Sequence, residues 1–99
     1  MNFVFIYPAS GRFTGGEFKW DSPSDDSMRD FMLFLRQSQD VPTERAALAE
    51  IRRFGFTDVR LMSEGKQIDV ESLNDAKLAP FRRNYEGALA AGASLAWYA

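Results

Sequence analysis

Residues 3–7, Phe-Val-Phe-Ile-Tyr, decide the fold, because this run of aromatic and β-branched side chains, ended by Pro8, predicts a central strand. Alternation along a strand sends Val4 and Ile6 to one side and the three aromatic side chains to the other. Both faces of the strand are therefore apolar. We expect the aromatic face either to be covered by another segment of the chain or to be an interface with a second copy or another protein.

A glycine pair, Gly15-Gly16, follows this strand and lies between two short segments that carry aromatic residues. Paired glycines supply the positive φ angles of a two-residue turn, so the pattern predicts a hairpin. The hairpin register places Phe13 opposite Phe18, with Trp20 on the same side. The sequence therefore predicts a flap that can fold back over the aromatic face.

Two helices are predicted next, one on each side of a break at residues 38–42. The first begins at Ser22, with Pro23 as its first helical residue, and runs to about Gln37. The second ends at Gly55, which is expected to be a left-handed cap. The helical spacing of apolar residues supports both helices. The first stripe comprises Met28, Phe31, Met32 and Leu35, widened by Phe34, and the second comprises Ala47, Leu48, Ile51 and Phe54.

The second half of the chain predicts a hairpin, a helix and a strand. A turn at Glu64-Gly65 places Val59 opposite Val70 and Leu61 opposite Ile68. A helix then begins at Pro80, ends at Gly92 and turns one apolar face inward. The inward residues of this helix are Phe81, Tyr85, Ala88 and Leu89. Residues 94–98, Ser-Leu-Ala-Trp-Tyr, form the last strand.

The predicted fold class is α+β. Without the glycine hairpin, and with the first two helices counted as one helical segment, the element order is strand, helical segment, hairpin, helix, strand. This is the order of a ferredoxin-like βαββαβ sandwich. In that fold the sheet is antiparallel and both helices cover one of its faces. We expect a single globular domain over residues 1–99, with the glycine hairpin as an addition near the N-terminus.

The composition excludes most familiar catalytic chemistry. The 99 residues contain no Cys and no His, which removes disulfides, thiol nucleophiles, imidazole bases and the usual zinc ligands. An oxygen-ligated Mg²⁺ would need the acids Asp21, Asp25, Asp26 and Asp30. Three of the four fall in the first turn of the predicted helix, where negative charge is favoured, so we interpret the group as part of the helix start. We predict no enzyme activity, no metal and no cofactor.

The charge balance and the start of the chain predict location and partners. Twelve Lys and Arg against fourteen Asp and Glu give a net charge of −2, which disfavours nucleic acid as a partner. The apolar start has no basic leader and is interrupted by Pro8. We therefore expect neither a signal peptide nor a membrane span, no contact with a membrane, and a cytoplasmic location.

Residues 10–19, Ser-Gly-Arg-Phe-Thr-Gly-Gly-Glu-Phe-Lys, resemble the phosphate-binding pattern of the acylphosphatases, Gly-Arg-Val-Gln-Gly-Val-x-Phe-Arg, and suggest one alternative function. Residues 11–19 resemble this pattern at Gly11, Arg12, Gly15 and Phe18. The resemblance implies a ferredoxin-like fold and a phosphate-handling site at Arg12 and Lys19. Lys19 replaces the catalytic arginine of the family, and the segment 59–61 lacks the catalytic asparagine. Lysine does not reproduce the two-pronged grip of arginine on phosphate.

A second alternative is a reader of single-stranded RNA. Residues 52–56, Arg-Arg-Phe-Gly-Phe, resemble the centre of the aromatic octapeptide of RNA-recognition motifs. That resemblance implies a ferredoxin-like domain with aromatic rings on an open sheet face. In this chain Phe3, Phe5 and Tyr7 are the candidates for a base-stacking platform.

The leading hypothesis is a non-enzymatic protein-binding module, such as a small cytosolic inhibitor or an immunity-like protein that neutralises another protein. Its partner would be a basic protein, attracted by the acidic charge, or a second copy of the chain. The predicted partner-binding residues surround the glycine hairpin and the acids that follow it. They are Arg12, Phe13, Phe18, Trp20, Asp21, Asp25 and Asp26.

Overall fold

In a computed structural model, which describes residues 2–16, 20 and 22–98, the chain forms an antiparallel sheet with one α-helix on each face. In chain order the elements are β1 Phe3–Phe13, β2 Met28–Gln37, α1 Glu44–Phe54, β3 Phe56–Leu61, β4 Lys66–Ile68, α2 Arg82–Ala91 and β5 Ala93–Trp97. Two short 3-10 turns, Ser72–Asn74 and Ala79–Phe81, connect β4 to α2. The strand order is β3-β1-β2-β5, with β4 also paired to β1. The predicted α+β class and the antiparallel sheet are confirmed.

The central strand β1 continues through Pro8, so the prediction that it ends there is wrong. The carbonyl oxygen of Pro8 accepts a hydrogen bond from Met62 N at 2.8 Å. In an antiparallel strand the N and O atoms of one residue point to the same neighbour. The missing N–H of Pro8 therefore faces the loop between β3 and β4, and the hydrogen bonds between β1 and β2 are all retained.

The segment predicted as the first helix contains strand β2, so that prediction is wrong. Its register against β1 pairs Leu35 with Phe5 and Leu33 with Tyr7. The alternate residues Phe31, Leu33 and Leu35 pack on the α1 side of the sheet, whereas Phe34 packs on the α2 side. A continuous apolar run satisfies the helical period and the strand period equally. Pairing with the long β1 strand and burial on both faces stabilise the strand conformation of this segment.

The two α-helices lie on opposite faces of the sheet, so the ferredoxin-like arrangement with both helices on one face is not observed. On the aromatic face, Ile51 and Phe54 of α1 pack against Phe5 and Tyr7. On the other face, Ala88 of α2 is in one cluster with Val4, Ile6 and Phe34, flanked by Phe81 and Tyr85. Both faces of β1 are therefore covered. Leu89, predicted to point inward, is 38% exposed.

Strands β3 and β4 do not form the predicted hairpin, because each pairs with a different part of β1. Leu61 is opposite Ala9, and Ile68 is opposite Val4. A Cβ atom on Gly65 would lie 2.8 Å from Cδ1 of the buried Tyr7 ring. The glycine is therefore required by this close approach of the backbone to an aromatic ring. The predicted register of Val59 with Val70 is wrong.

The end of α1 anchors the chain that follows β1. Gly55 has a φ of 108°, which confirms it as the left-handed cap. Its carbonyl oxygen accepts a hydrogen bond from Thr14 N at 2.7 Å. The second arm of the predicted glycine hairpin, residues 17–19, lies outside the described residues. Arg12, in the first arm, has a strand neighbour on each side, Met28 in β2 and Thr57 in β3.

No α-helix in the described ranges has the length and apolar character needed to cross a membrane.

Candidate protein-binding edge

The predicted aromatic site residues that the structure describes belong to the cover of the α1 face. The rings of Phe13 and Trp20 meet edge to face, with centroids 6.2 Å apart, and Trp20 meets Phe54 in the same way at 5.1 Å. The indole Nε1 of Trp20 donates a hydrogen bond to the carbonyl oxygen of Phe54 at 2.9 Å. Phe18 lies outside the described residues. These contacts give Phe13 and Trp20 a structural role, and their role in partner binding stays a prediction.

Two of the predicted charged site residues, Arg12 and Asp25, have side-chain contacts within the chain. Asp25 Oδ1 accepts hydrogen bonds from Ser27 Oγ at 2.7 Å and from Arg29 Nη2 at 2.8 Å. The donors on Ser27, first the hydroxyl and then the backbone N–H, and next Arg29, hold the pKa of Asp25 below its usual value. Arg12 Nη1 donates to the carbonyl oxygen of Asp26 at 2.7 Å. This region therefore has mixed charge. Asp21 lies outside the described residues.

The structure gives little support to the two alternative functions, RNA binding and phosphate handling. Phe5 and Tyr7 are 2% and 0% exposed, so they cannot stack on nucleic-acid bases in this fold. The guanidinium of Arg12 also has Asp58 at 3.8 Å, in addition to its bond to the backbone. Lys19, the second residue implied by the acylphosphatase resemblance, lies outside the described residues.

The outer side of β5 carries backbone groups that face away from the sheet. Tyr98 N donates to Asp30 O at 3.0 Å, and Arg36 N donates to Gly92 O at 2.8 Å. Residues in an antiparallel strand alternate between the two neighbours, so Ser94 and Ala96 bond to β2 while Ala93 and Leu95 present their N–H and C=O groups outward. Within the described ranges, no strand pairs with this side of β5.

A groove of about 540 Å³ runs along this outer side of β5, which we call the β5 edge. Trp20 lines it from the α1 side, whereas Arg83 and Asn84 line it from α2. Its floor is the strand itself, from Ser94 to Trp97. The groove thus combines aromatic surface and a guanidinium group with a strand edge that no other described strand pairs with.

The strand at this edge lacks the features with which many proteins block such surfaces. Its sequence, Ala-Ser-Leu-Ala-Trp, contains no Lys, no Pro and no bulge. In other proteins, a strand edge without a strand partner can bind extended polypeptide, because main-chain hydrogen bonds add a further strand to the sheet. Ser94 Oγ accepts a hydrogen bond from Asn84 Nδ2 at 3.0 Å. This contact joins the Asn84 side chain of α2 to β5.

The sequence analysis missed this edge although it predicted the strand. Residues 94–98 were expected to form the last strand, and Arg83 was left out of the predicted site. No local signal in residues 94–98 identifies an edge strand, because the position of β5 is set by the strand order of the sheet. Comparisons of this chain with protein-family models, with curated proteins and with solved structures find no match.

Proposed function

We propose that this chain is a non-enzymatic protein-binding module that captures an extended segment of a partner protein at the β5 edge. The observation that carries the proposal is the outward direction of the backbone groups of Ala93 and Leu95 beside the groove. The small size and mixed charge of the chain favour an inhibitor or an immunity-like protein as the form of this function. The covered sheet faces favour the edge over the faces as the binding surface.

The groove also indicates which segment would bind. Each outward N–H and C=O group of β5 can form a main-chain hydrogen bond to the added strand, whatever the sequence of that strand. Selectivity then comes from side chains. Trp20 provides apolar surface on one side, and Arg83 provides a positive charge on the other. We expect a segment with an apolar or aromatic residue against the tryptophan and a carboxylate against Arg83.

The test uses two variants that change the same charge at adjacent positions of α2. Arg83 lines the groove, whereas Arg82 is exposed and does not line it. The tagged wild-type chain, Arg83→Glu and Arg82→Glu are used to capture proteins from native-host lysate. We expect one stoichiometric protein with the wild type and with Arg82→Glu, and several-fold less of it with Arg83→Glu, because the carboxylate repels the acidic group of the partner.

Amide hydrogen exchange on the purified complex then locates the contact. The partner is expected to slow exchange at Ala93 and Leu95, whose N–H groups face outward, and to leave Ser94 and Ala96 unchanged because β2 already protects them. Circular dichroism confirms that both variants are folded. The proposal is contradicted if no protein is retained, if both variants capture it equally, or if protection appears only elsewhere.

A further inference from the structure

The two edges of the sheet differ in how easily a further strand pairs with them. At the edge formed by β3 and β4, β3 shifts register against β1 between Ser10 and Arg12, and Asp58 at this bulge has a positive φ of 54°. The strand β4 begins with Lys66. Bulges and lysine side chains hinder the addition of a strand. β5 contains neither, so an added strand is favoured at the β5 edge.

The outward backbone groups of β5 are arranged symmetrically about Leu95. Ala93 and Leu95 direct their N–H and C=O groups outward, and alternation along the strand gives Trp97 the same direction. A two-fold axis beside Leu95 places this residue opposite Leu95 of a second copy. The same axis places Ala93 of each copy opposite Trp97 of the other. Residues that face each other in this way exchange two main-chain hydrogen bonds in an antiparallel pair.

The side chains of β5 fit this register. Ala93, Leu95 and Trp97 all pack on the α1 side of the sheet. The register therefore sets the smallest of the three side chains opposite the largest at both ends of the paired strands. An axis at Trp97 would set two indole rings opposite each other, and an axis at Ala93 would set Leu95 opposite Ala91 in α2. The axis at Leu95 pairs the strand along its whole length and avoids both conflicts.

We propose that two copies of this chain pair through their β5 edges, about a two-fold axis at Leu95, when no partner strand is bound. Both copies use the same surface, so the interface closes at two copies and does not extend into a fibre. Self-pairing occupies the outward groups that a partner strand would use, so the second copy competes with the partner. This competition rests on the proposed function, whereas self-pairing does not.

Two measurements on the wild-type chain test self-pairing without a partner. Sedimentation velocity should show a species of twice the chain mass of 11.2 kDa, and dilution should return it to the monomer. Amide hydrogen exchange should slow at Ala93 and Leu95 as the protein concentration rises. Ser94 and Ala96 should exchange at the same rate at every concentration, because they bond to β2 in the monomer and in the dimer.

Single cysteines test the register, because the chain has no cysteine of its own. Facing residues of a hydrogen-bonded pair have Cα atoms about 5.5 Å apart, which is within the range for a disulfide. Oxidised glutathione should therefore convert Leu95→Cys to a covalent dimer. Ala93→Cys should not cross-link, because the two cysteines would lie about 13 Å apart along the paired strands.

Two variants with the same change test the contact. Ala93→Glu sets a carboxylate opposite Trp97 of the second copy at both ends of the interface, and should raise the dissociation constant of the dimer about tenfold. Ala49→Glu, at an exposed position of α1 outside the groove, should leave it unchanged. Circular dichroism confirms that the variants are folded, and exchange in the wild type decides the question where one is not.

The inference is overturned if the wild-type chain stays monomeric or if exchange at Ala93 and Leu95 does not depend on concentration. It is also overturned if Ala93→Cys cross-links as readily as Leu95→Cys, or if the two glutamate variants dimerise equally. The two proposals fail separately. A dimer that captures no protein contradicts the proposed function alone, whereas a chain that captures a protein but stays monomeric contradicts self-pairing alone.

Discussion

Replacing Tyr7 by Phe tests the polar contact that joins the start of α1 to the sheet. The ring of Tyr7 is fully buried, and its hydroxyl donates a hydrogen bond to Gln37 Oε1 at 2.8 Å. The hydroxyl oxygen of Tyr7 also accepts a hydrogen bond from Thr43 N, at 2.8 Å. Thr43 is the residue before α1, and its own side chain does not cap the helix. The substitution keeps the ring in place and removes both bonds.

The expected loss of stability follows from these two bonds. Each buried hydrogen bond contributes about 1 kcal/mol net, and the Thr43 N–H loses its acceptor, so Tyr7→Phe should lower the free energy of unfolding by about 2 kcal/mol. Gln37 Oε1 keeps one donor, Thr43 Oγ1 at 3.1 Å, which limits the loss. For a chain of this length the change corresponds to a decrease of about 10 °C in Tm.

Urea denaturation measures the difference, since a shifted midpoint with an unchanged slope reports stability alone. The control is Tyr98→Phe, because Tyr98 is 45% exposed and lies outside the core. It should change the free energy of unfolding by less than about 0.5 kcal/mol. If Tyr7→Phe is as stable as this control, the hydroxyl does not hold the helix start and the reasoning is refuted.

Three further predictions concern single contacts. NMR titration should place the pKa of Asp25 below its ordinary value of 3.8, and Ser27→Ala should raise it part of the way back. The stability from this carboxylate is then present above pH 3.8 and is lost as the pH falls through the lowered value. Gly65→Ala should cost about 2 kcal/mol in urea denaturation, because its Cβ would collide with the buried ring of Tyr7. Trp20→Ala should cost a similar amount, about 2 kcal/mol, whereas a residue that only contacts a partner would show no loss.

Local signals in the sequence predicted the helix ends well. Gly55 and Gly92 both follow α-helices with positive φ angles, of 108° and 98°. A residue without a Cβ adopts this conformation without strain, so the end of a helix is visible within a few residues. The last strand was predicted for a similar reason, since a short run with an aromatic residue follows a glycine that ends a helix.

Long-range pairing limited the other predictions. The run Phe-Met-Leu-Phe-Leu at 31–35 is apolar at every position. The sequence therefore does not distinguish the helical period from the strand period in this segment. Its conformation depends on β1, about 25 residues earlier in the chain. The link between β3 and β4 shows the same limit. A short link permits a hairpin, but it also permits two strands that follow one side of β1.

The candidate site was predictable in part. Trp20 was in the predicted set and does line the groove, whereas Arg83 and the backbone of β5 were not. Side-chain chemistry is visible in a sequence, but an unpaired strand edge is a property of the strand order. The order β3-β1-β2-β5 places β5 at the end of the sheet.

The sequence by itself determined that β1 is apolar on both faces, that two helices end at glycines, and that the 99 residues carry no thiol and no imidazole side chain. These properties follow from residue type and local spacing. Only the tertiary structure decided that residues 28–37 form a strand, that the helices cover opposite faces, and that the outer side of β5 is left without a strand among the described residues. The physical reason is that each of these outcomes depends on which distant segments pair, and pairing energy is shared between strands far apart in the chain.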